Sequence, residues 1–165
     1  IQETPVGFKY IGEIMVREGN DFIIGGEESG GLTIRGHVPE KDGILACLLV
    51  AEMVAMSRKS IRKILNEIME LTGPVYSKRL NFHLTYEEIE NFRLRLQKKI
   101  PSDIAGVKIK DMVTTDGYKF ILSDNSWIGM RFSGTEPVVR LYVEADSIVK
   151  INKLLSAGKK FIKGK

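Results

Sequence analysis

A single cysteine, Cys47, stands in 165 residues. One thiol excludes an internal disulfide framework and fits a reducing compartment, so the cytoplasm is the expected setting. Long apolar runs are missing too. The longest, "GILACLLVAEMVAM", is interrupted by Glu52 and falls short of the roughly 20 residues a spanning helix needs, so no membrane role is expected. It predicts a buried helix with Cys47 as a buried structural thiol. No secretory leader, internal repeat or low-complexity segment is visible. Charge of one sign is not concentrated either: 25 Lys and Arg stand against 21 Asp and Glu, a net charge of +4. Nucleic-acid binders gather such an excess into a stripe. The one dense basic run, "KKFIKGK", falls at the end of an expected helix, where cations suit the dipole. No nucleic-acid partner is expected.

What is present is a globular composition, 43% hydrophobic and 28% charged, in a chain long enough for one domain or two small ones. It opens on Ile1 rather than methionine, which suggests a piece of a longer protein. Two parts emerge, 1–73 and 74–165. In the first, "DFIIGGEESGG" reads as a short buried strand, Phe22 to Ile24, entering a glycine-rich loop. The helix from about Gly43 follows. A second helix carries Ile61, Ile64, Leu65, Ile68 and Met69 on one face and stops at Gly73 and Pro74. One strand before two helices suggests part of an α/β domain.

The second part opens with a strand-like segment, Val75 to Leu84. Thr85 and Glu88 form a capping-box pattern for a helix with Ile89, Phe92 and Leu96 on one face. Four strand-like runs follow: "GVKIKDMVTT", "YKFILSD", "SWIGMRF" and "VVRLYVEA". Asp116-Gly117 and Asp124-Asn125 turn the chain between the first three. A last helix from about Ser147 turns Ile148, Ile151, Leu154 and Leu155 inward. The order predicts an α+β domain, an antiparallel sheet with helices on one face.

Two loops could carry chemistry. In "RFSGTEPVVR", strand alternation places Arg131 and Arg140 on the side away from the core. Ser133 and Thr135 offer hydroxyls, and Gly134 offers conformational range for exposing backbone N–H groups. Two guanidinium forks beside clustered donors suit phosphate oxygens. The same residues would equally make a plain turn with solvated arginines. The other loop, "GGEESGG", presents Glu27, Glu28 and Ser29 after a strand. Carboxylates suit sugar hydroxyls better than phosphate. Metal ligation and a solvated acidic loop stay open, although no third carboxylate or histidine lies at short ligand spacing. His37 and Lys41 in "HVPEKDG" and Lys9 in "GFKY" are weak signals alone.

Taken together, "GFKYIG", "GEESGG", "KDGILA" and "RFSGTEPVVRLYVEA" resemble the α-D-phosphohexomutase family, the phosphoglucomutases and phosphomannomutases. The matches run from Gly7 to Glu144 in the family's order and cover most of its third domain and all of its fourth. The resemblance implies transfer of a phosphoryl group between the 1- and 6-positions of a hexose, through a bisphosphate of the glucose 1,6-bisphosphate type, with a phosphoserine and Mg²⁺. It implies that Glu27 and Ser29 hold sugar hydroxyls, with Lys41 approaching the substrate and Gly7 to Lys9 lining the cleft. It implies that Arg131, Ser133, Gly134, Thr135 and Arg140 grip the phosphate not being transferred. The expected partners are a hexose phosphate and the N-terminal domains of the same enzyme.

The sequence departs from the family in two respects. No Thr-x-Ser-His serine segment and no Asp-Gly-Asp-x-Asp-Arg metal segment occurs, so no catalytic residue and no metal ligand is expected in this chain, and the chain alone is expected to be inactive. Gly31 stands where many members carry a histidine, and His37 is the alternative for its role. "EKDG" is closer to the glucose and mannose mutases than to the phosphoglucosamine mutases. The competing reading is a non-catalytic module that binds a sugar phosphate.

Overall fold

Apolar residues alternate along four consecutive strand runs, and that alternation decides the second half of the molecule. The computed structural model describes residues 1–98 and 100–164; of the basic run at 159–165, Lys165 lies outside them. The chain divides into two units, 1–68 and 69–165.

In the second unit, β3 (Tyr76–His83) leads into α4 (Tyr86–Lys98). The capping box forms as its pattern requires. Glu88 N–H donates to Thr85 Oγ1 at 3.2 Å, and Glu88 Oε2 accepts from Thr85 N–H at 2.7 Å. Strands β4 (Asp103–Ile104), β5 (Val107–Val113), β6 (Tyr118–Leu122), β7 (Trp127–Phe132) and β8 (Val138–Ala145) follow, and α5 (Ile148–Lys163) closes the unit. The sheet order is β3-β8-β7-β6-β5-β4, antiparallel at every junction.

One face of this sheet is the core. Phe120, Leu122, Ile128, Met130, Val139, Leu141 and Val143 are buried on it, under Ile89, Phe92 and Leu96 of α4 and Ile151, Leu154, Leu155 and Ile162 of α5. Burying each such side chain is worth about 1.5–3 kcal/mol, so the register that keeps them inside is strongly specified. Both helices lie on the same face, as the alternation predicts. Ile148 departs from the expected inward set: it is exposed at the first residue of α5, before the helix reaches the sheet.

The first unit is smaller. α1 (Phe8–Glu18) is a helix that no sequence expectation covers. Its Phe8, Ile11 and Met15 pack with Phe22 in a small core. β1 (Ile24–Gly26) pairs antiparallel with β2 (Leu32–Ile34), so the strand expected over Phe22 to Ile24 lies two residues later and is half of a hairpin. Phe22 is buried ahead of it, whereas Ile23 and Ile24 are exposed. Thr33 on β2 is fully buried and donates to the Val38 carbonyl at 2.7 Å, which folds the 34–42 segment back on the hairpin.

α2 (Gly43–Ser57) and α3 (Ile61–Thr72) complete the chain, α3 running across the division between the units. The expectation of a buried α2 is not met. None of its residues is buried, Ile44, Leu48 and Met56 are exposed, and Cys47 is an exposed thiol. The helix is apolar on every side, so packing against β2 covers a fraction of it.

Lys150 ties α5 to the sheet. Its Nζ lies 2.8 Å from Asp146 and 2.9 Å from Asp124 in the β6–β7 turn. For Asp124, burial alone would raise the pKa, but hydrogen bonds from Ser126 and Lys150 outweigh it and hold the carboxyl below its ordinary 3.8. The Lys150 hydrogen bond lowers Asp146 likewise. A carboxyl depressed in the folded state stabilises the fold above its ordinary pKa, and that contribution is lost as pH falls through the lowered value. The Tm of Lys150→Met is therefore expected to fall less steeply than that of the natural chain between about pH 5 and pH 2. An equally steep fall would contradict the Asp124–Lys150–Asp146 tie.

Candidate functional site

The β7–β8 register places Arg131 directly opposite Arg140. Their strand neighbours Met130, Val139 and Leu141 are buried, so the two arginines share the opposite face. Like charges at that spacing, with Cβ atoms about 5 Å apart, destabilise a strand pair unless something answers them. Asn81 of β3 lies on the far side of Arg140, extending the row across three strands.

Arg131 has a neighbour the sequence reading missed. Its Nε is 2.8 Å from Oδ2 of Asp116, in the β5–β6 turn, with side chains 23% and 34% exposed. The contact is an ion pair by distance; the N–H does not align with the oxygen as a hydrogen bond. Gly117 explains how the turn comes so close. Its φ is 104°, and a Cβ there would meet the Met130 carbonyl and approach Arg131 Cα to 3.1 Å.

The loop 133–137 is anchored at its base. Ser133 N–H donates to the Val138 carbonyl at 2.9 Å, and Leu84 N–H donates to the Pro137 carbonyl at 3.0 Å. Gly134 and Thr135 at the tip are exposed, and among the described residues no backbone hydrogen bond engages their N–H groups. Gly134 is not used as the sequence suggested. It is absent from the residues with positive φ, and a Cβ there would meet open space. The structure thus brings Arg131, Arg140, Ser133, Gly134 and Thr135 to one strand end.

The first unit arranges opposite charges instead. Glu27 closes the β1–β2 hairpin, its N–H donating to Gly31 and its carbonyl accepting from Gly30 N–H. The Glu27 carboxylate is largely covered and lies 3.3 Å from Lys41 Nζ. The Lys41 stem passes over Gly31, where a Cβ would come within 3.1 Å of it. A histidine at position 31 would therefore displace Lys41. His37 Nε2 sits 3.0 Å from Asp42 Oδ2, while Asp42 Oδ1 caps α2 by accepting from the N–H groups of Ile44 and Leu45. The Leu45 N–H, then His37, hold the Asp42 carboxyl below its ordinary value. Asp42 stands directly before α2, where an N-cap aspartate could have been read from sequence.

Gly7 and Glu27 line one cleft of about 720 Å³. Gly7 is the N-cap of α1, with φ 130°. Lys9 is exposed, its ammonium 4.8 Å from the centre of the Tyr10 ring, and Ser29 is exposed on the hairpin turn; neither lines that cleft.

Two sequence models of one family match the chain. Residues 1–72 match domain III of phosphoglucomutase/phosphomannomutase, an alpha/beta/alpha domain, and residues 89–157 match the C-terminal domain, domain IV. The chain belongs to the phosphoglucomutase/phosphomannomutase family. A phosphoglucomutase/phosphomannomutase of Thermococcus kodakarensis is 30% identical over 98% of the chain and 33% of its own length. A phosphoglucosamine mutase of Methanocaldococcus jannaschii is 33% identical over 99% of the chain and 34% of its own length. A crystal structure from Thermus thermophilus, provisionally named a phosphomannomutase, superposes with a TM-score of 0.75 at 35% identity, covering 98% of this chain and 31% of that one. The chain spans about a third of the length of these relatives and matches the family's domains III and IV. The antiparallel sheet and the five α-helices among the described residues are those of the phosphohexomutase fold.

Among the described residues no group of three or more His, Cys, Asp or Glu is placed to hold a metal ion. The described residues offer no donor set that fits the Mg²⁺ the family resemblance implies. No helix among the described residues is long and apolar enough to cross a membrane.

The two glycines beside the arginines separate structural need from binding need. Gly134→Ala is expected to leave stability within about 0.5 kcal/mol of the natural chain. Gly117→Ala should cost about 1–2 kcal/mol or more, from its left-handed backbone and its approach to β7. Denaturant unfolding of both variants checks this; equal costs would contradict the described loop geometry.

Proposed function

We propose that the chain is the substrate-binding C-terminal portion of a phosphohexomutase that interconverts hexose 1-phosphate and hexose 6-phosphate, of glucose or mannose, through a hexose bisphosphate. The observation that carries this is the direct pairing of Arg131, which Asp116 answers in part, with Arg140, beside the exposed Gly134 and Thr135 at the loop tip. A dianionic phosphate answers two opposed guanidinium groups, which offer it bidentate donors, and the loop tip adds neutral ones. Ser133 and Thr135 supply hydroxyls from the same loop. The role suits a phosphate that waits rather than reacts, because phosphoryl transfer depends mainly on positioning and charge neutralisation.

In the first unit, Glu27 and Ser29 are proposed to take sugar hydroxyls. Lys41, already paired with Glu27, holds that carboxylate in place, and Gly7 lines the cleft that Glu27 borders, with Lys9 proposed to reach the substrate from outside it. His37 stands in for the missing histidine at Gly31 only through its contact with Asp42, which fixes one ring nitrogen. Glucose and mannose differ at the 2-hydroxyl, so a carboxylate reading the 3-hydroxyl accepts both. The Mg²⁺ of the reaction is proposed to be held by other parts of the enzyme, and the setting to be the cytoplasm. Relatives carry glucosamine mutase names as well, and "EKDG" is the feature that favours glucose or mannose here.

The test is titration of the chain with glucose 1,6-bisphosphate. Arg131→Ala is expected to weaken binding about ten- to a hundredfold, the worth of a charge-assisted pair; unchanged affinity would reject the clamp. The chain alone is expected to show no turnover of glucose 1-phosphate, since it contains no serine segment for phosphoryl transfer. Turnover by the purified chain would overturn that part of the reading.

A further inference from the structure

We propose that Asp116 is a positioning residue that sets how Arg131 presents its guanidinium to the phosphate. The inference rests on the phosphate reading of the β7–β8 loop and adds to it a residue outside that loop.

A guanidinium can grip phosphate through its Nε–Nη side or through its two Nη groups end-on. Asp116 Oδ2 lies 2.8 Å from Nε as an ion pair without a hydrogen bond, so an anion already stands against the side edge and the end-on edge is the one left for a ligand. The carboxylate also stands against one of two like charges that the β7–β8 register forces together. Counting the three groups, two cations and one anion leave a net positive site, which still attracts a dianion. A more neutral arrangement would relieve the strand pair and lose the ligand.

A second observation shows that the turn is built to hold this position. Gly117 has φ 104°, and its missing Cβ leaves room for the Met130 carbonyl and for Arg131 Cα. The β5–β6 turn therefore packs on the backbone from which Arg131 projects. A side chain at 117 would push Asp116 and Arg131 apart without touching either functional group. The opposite possibility is that Asp116 merely occupies the place an anion would take. In that case it lowers affinity, and its removal would raise it.

The two are separated by titrating the full chain with glucose 1,6-bisphosphate, followed through Trp127, the single tryptophan, which lies on the same strand and face as Arg131. Asp116→Ala is expected to weaken binding about tenfold, as loss of a partner that orients a ligand-contacting group does. In an Arg131→Ala background, Asp116→Ala should cause no further loss. Asp116→Asn, which keeps the side-chain shape, guards against a failure to fold. In both the natural chain and this variant, the Arg131 Nε–H resonance is read by NMR; its exchange with water should be slower in the natural chain. Unchanged or tighter binding by the Asp116 variants, with Arg131→Ala weakened, overturns this inference and leaves the phosphate reading standing. A loss that persists in the Arg131→Ala background shows a general structural role and also overturns it. Full affinity in Arg131→Ala overturns the phosphate reading, and this inference with it.

Discussion

Two arginines held face to face are the constraint around which the second unit is arranged. Arg131 and Arg140 oppose one another because β7 and β8 cannot slip. A shift of β7 by one residue would turn Ile128 and Met130 to the outside and Arg131 inward, and the same shift of β8 would do so for Val139, Leu141 and Arg140. The core thus spends part of its stability keeping two cations together. Asp116 answers one of them, and among the described residues Arg140 has no carboxylate partner. What remains is a fixed positive site at the mouth of a loop whose base is pinned and whose tip is open. A preformed site of this kind needs little rearrangement when an anion binds, and preorganisation is where electrostatic recognition gains most.

The first unit follows the opposite logic. The polar side chains of its two candidate loops are partnered within the unit: Glu27 by Lys41, and His37 by Asp42. These pairs are partly exposed and contribute little to stability. Their value lies in fixing direction, because a carboxylate that already accepts from one cation presents its remaining lone pairs along a defined line. Gly31 belongs to the same arrangement, since the space it leaves is filled by the Lys41 stem. The departure from the histidine common at that position therefore has a local structural counterpart.

Much of the second unit was legible in the sequence, because its elements obey strong local rules. The Thr85–Glu88 box, the Ser147 cap and the alternation of "VVRLYVEA" each fix one element, and together they place both arginines away from the core. The Arg131–Asp116 contact was not legible. Asp116-Gly117 announces a turn, but which strand that turn touches depends on register and on the room left at Gly117. α1 escaped for a local reason: it starts at Gly7 with no side-chain cap, so its first turn carries no signal, although Phe8, Ile11 and Met15 lie at helical spacing. The β1–β2 hairpin was displaced because an apolar run, Phe22 to Ile24, was read as buried strand when only Phe22 is buried. α2 shows the limit of hydropathy. An apolar sequence says that a helix can be buried, not that the chain at hand supplies the surface to bury it.

The most direct measurement is an amide-resolved NMR titration of the chain with inorganic phosphate. It requires no variant and no assumption about the sugar. The expected result is saturable shifts of the Ser133, Gly134 and Thr135 amides, together with the Arg131 and Arg140 side-chain signals, while the amides of the Lys159–Lys163 helix end stay unmoved. Shifts concentrated on that helix end, or none at the β7–β8 loop, would contradict the assignment of the opposed arginines as a phosphate site.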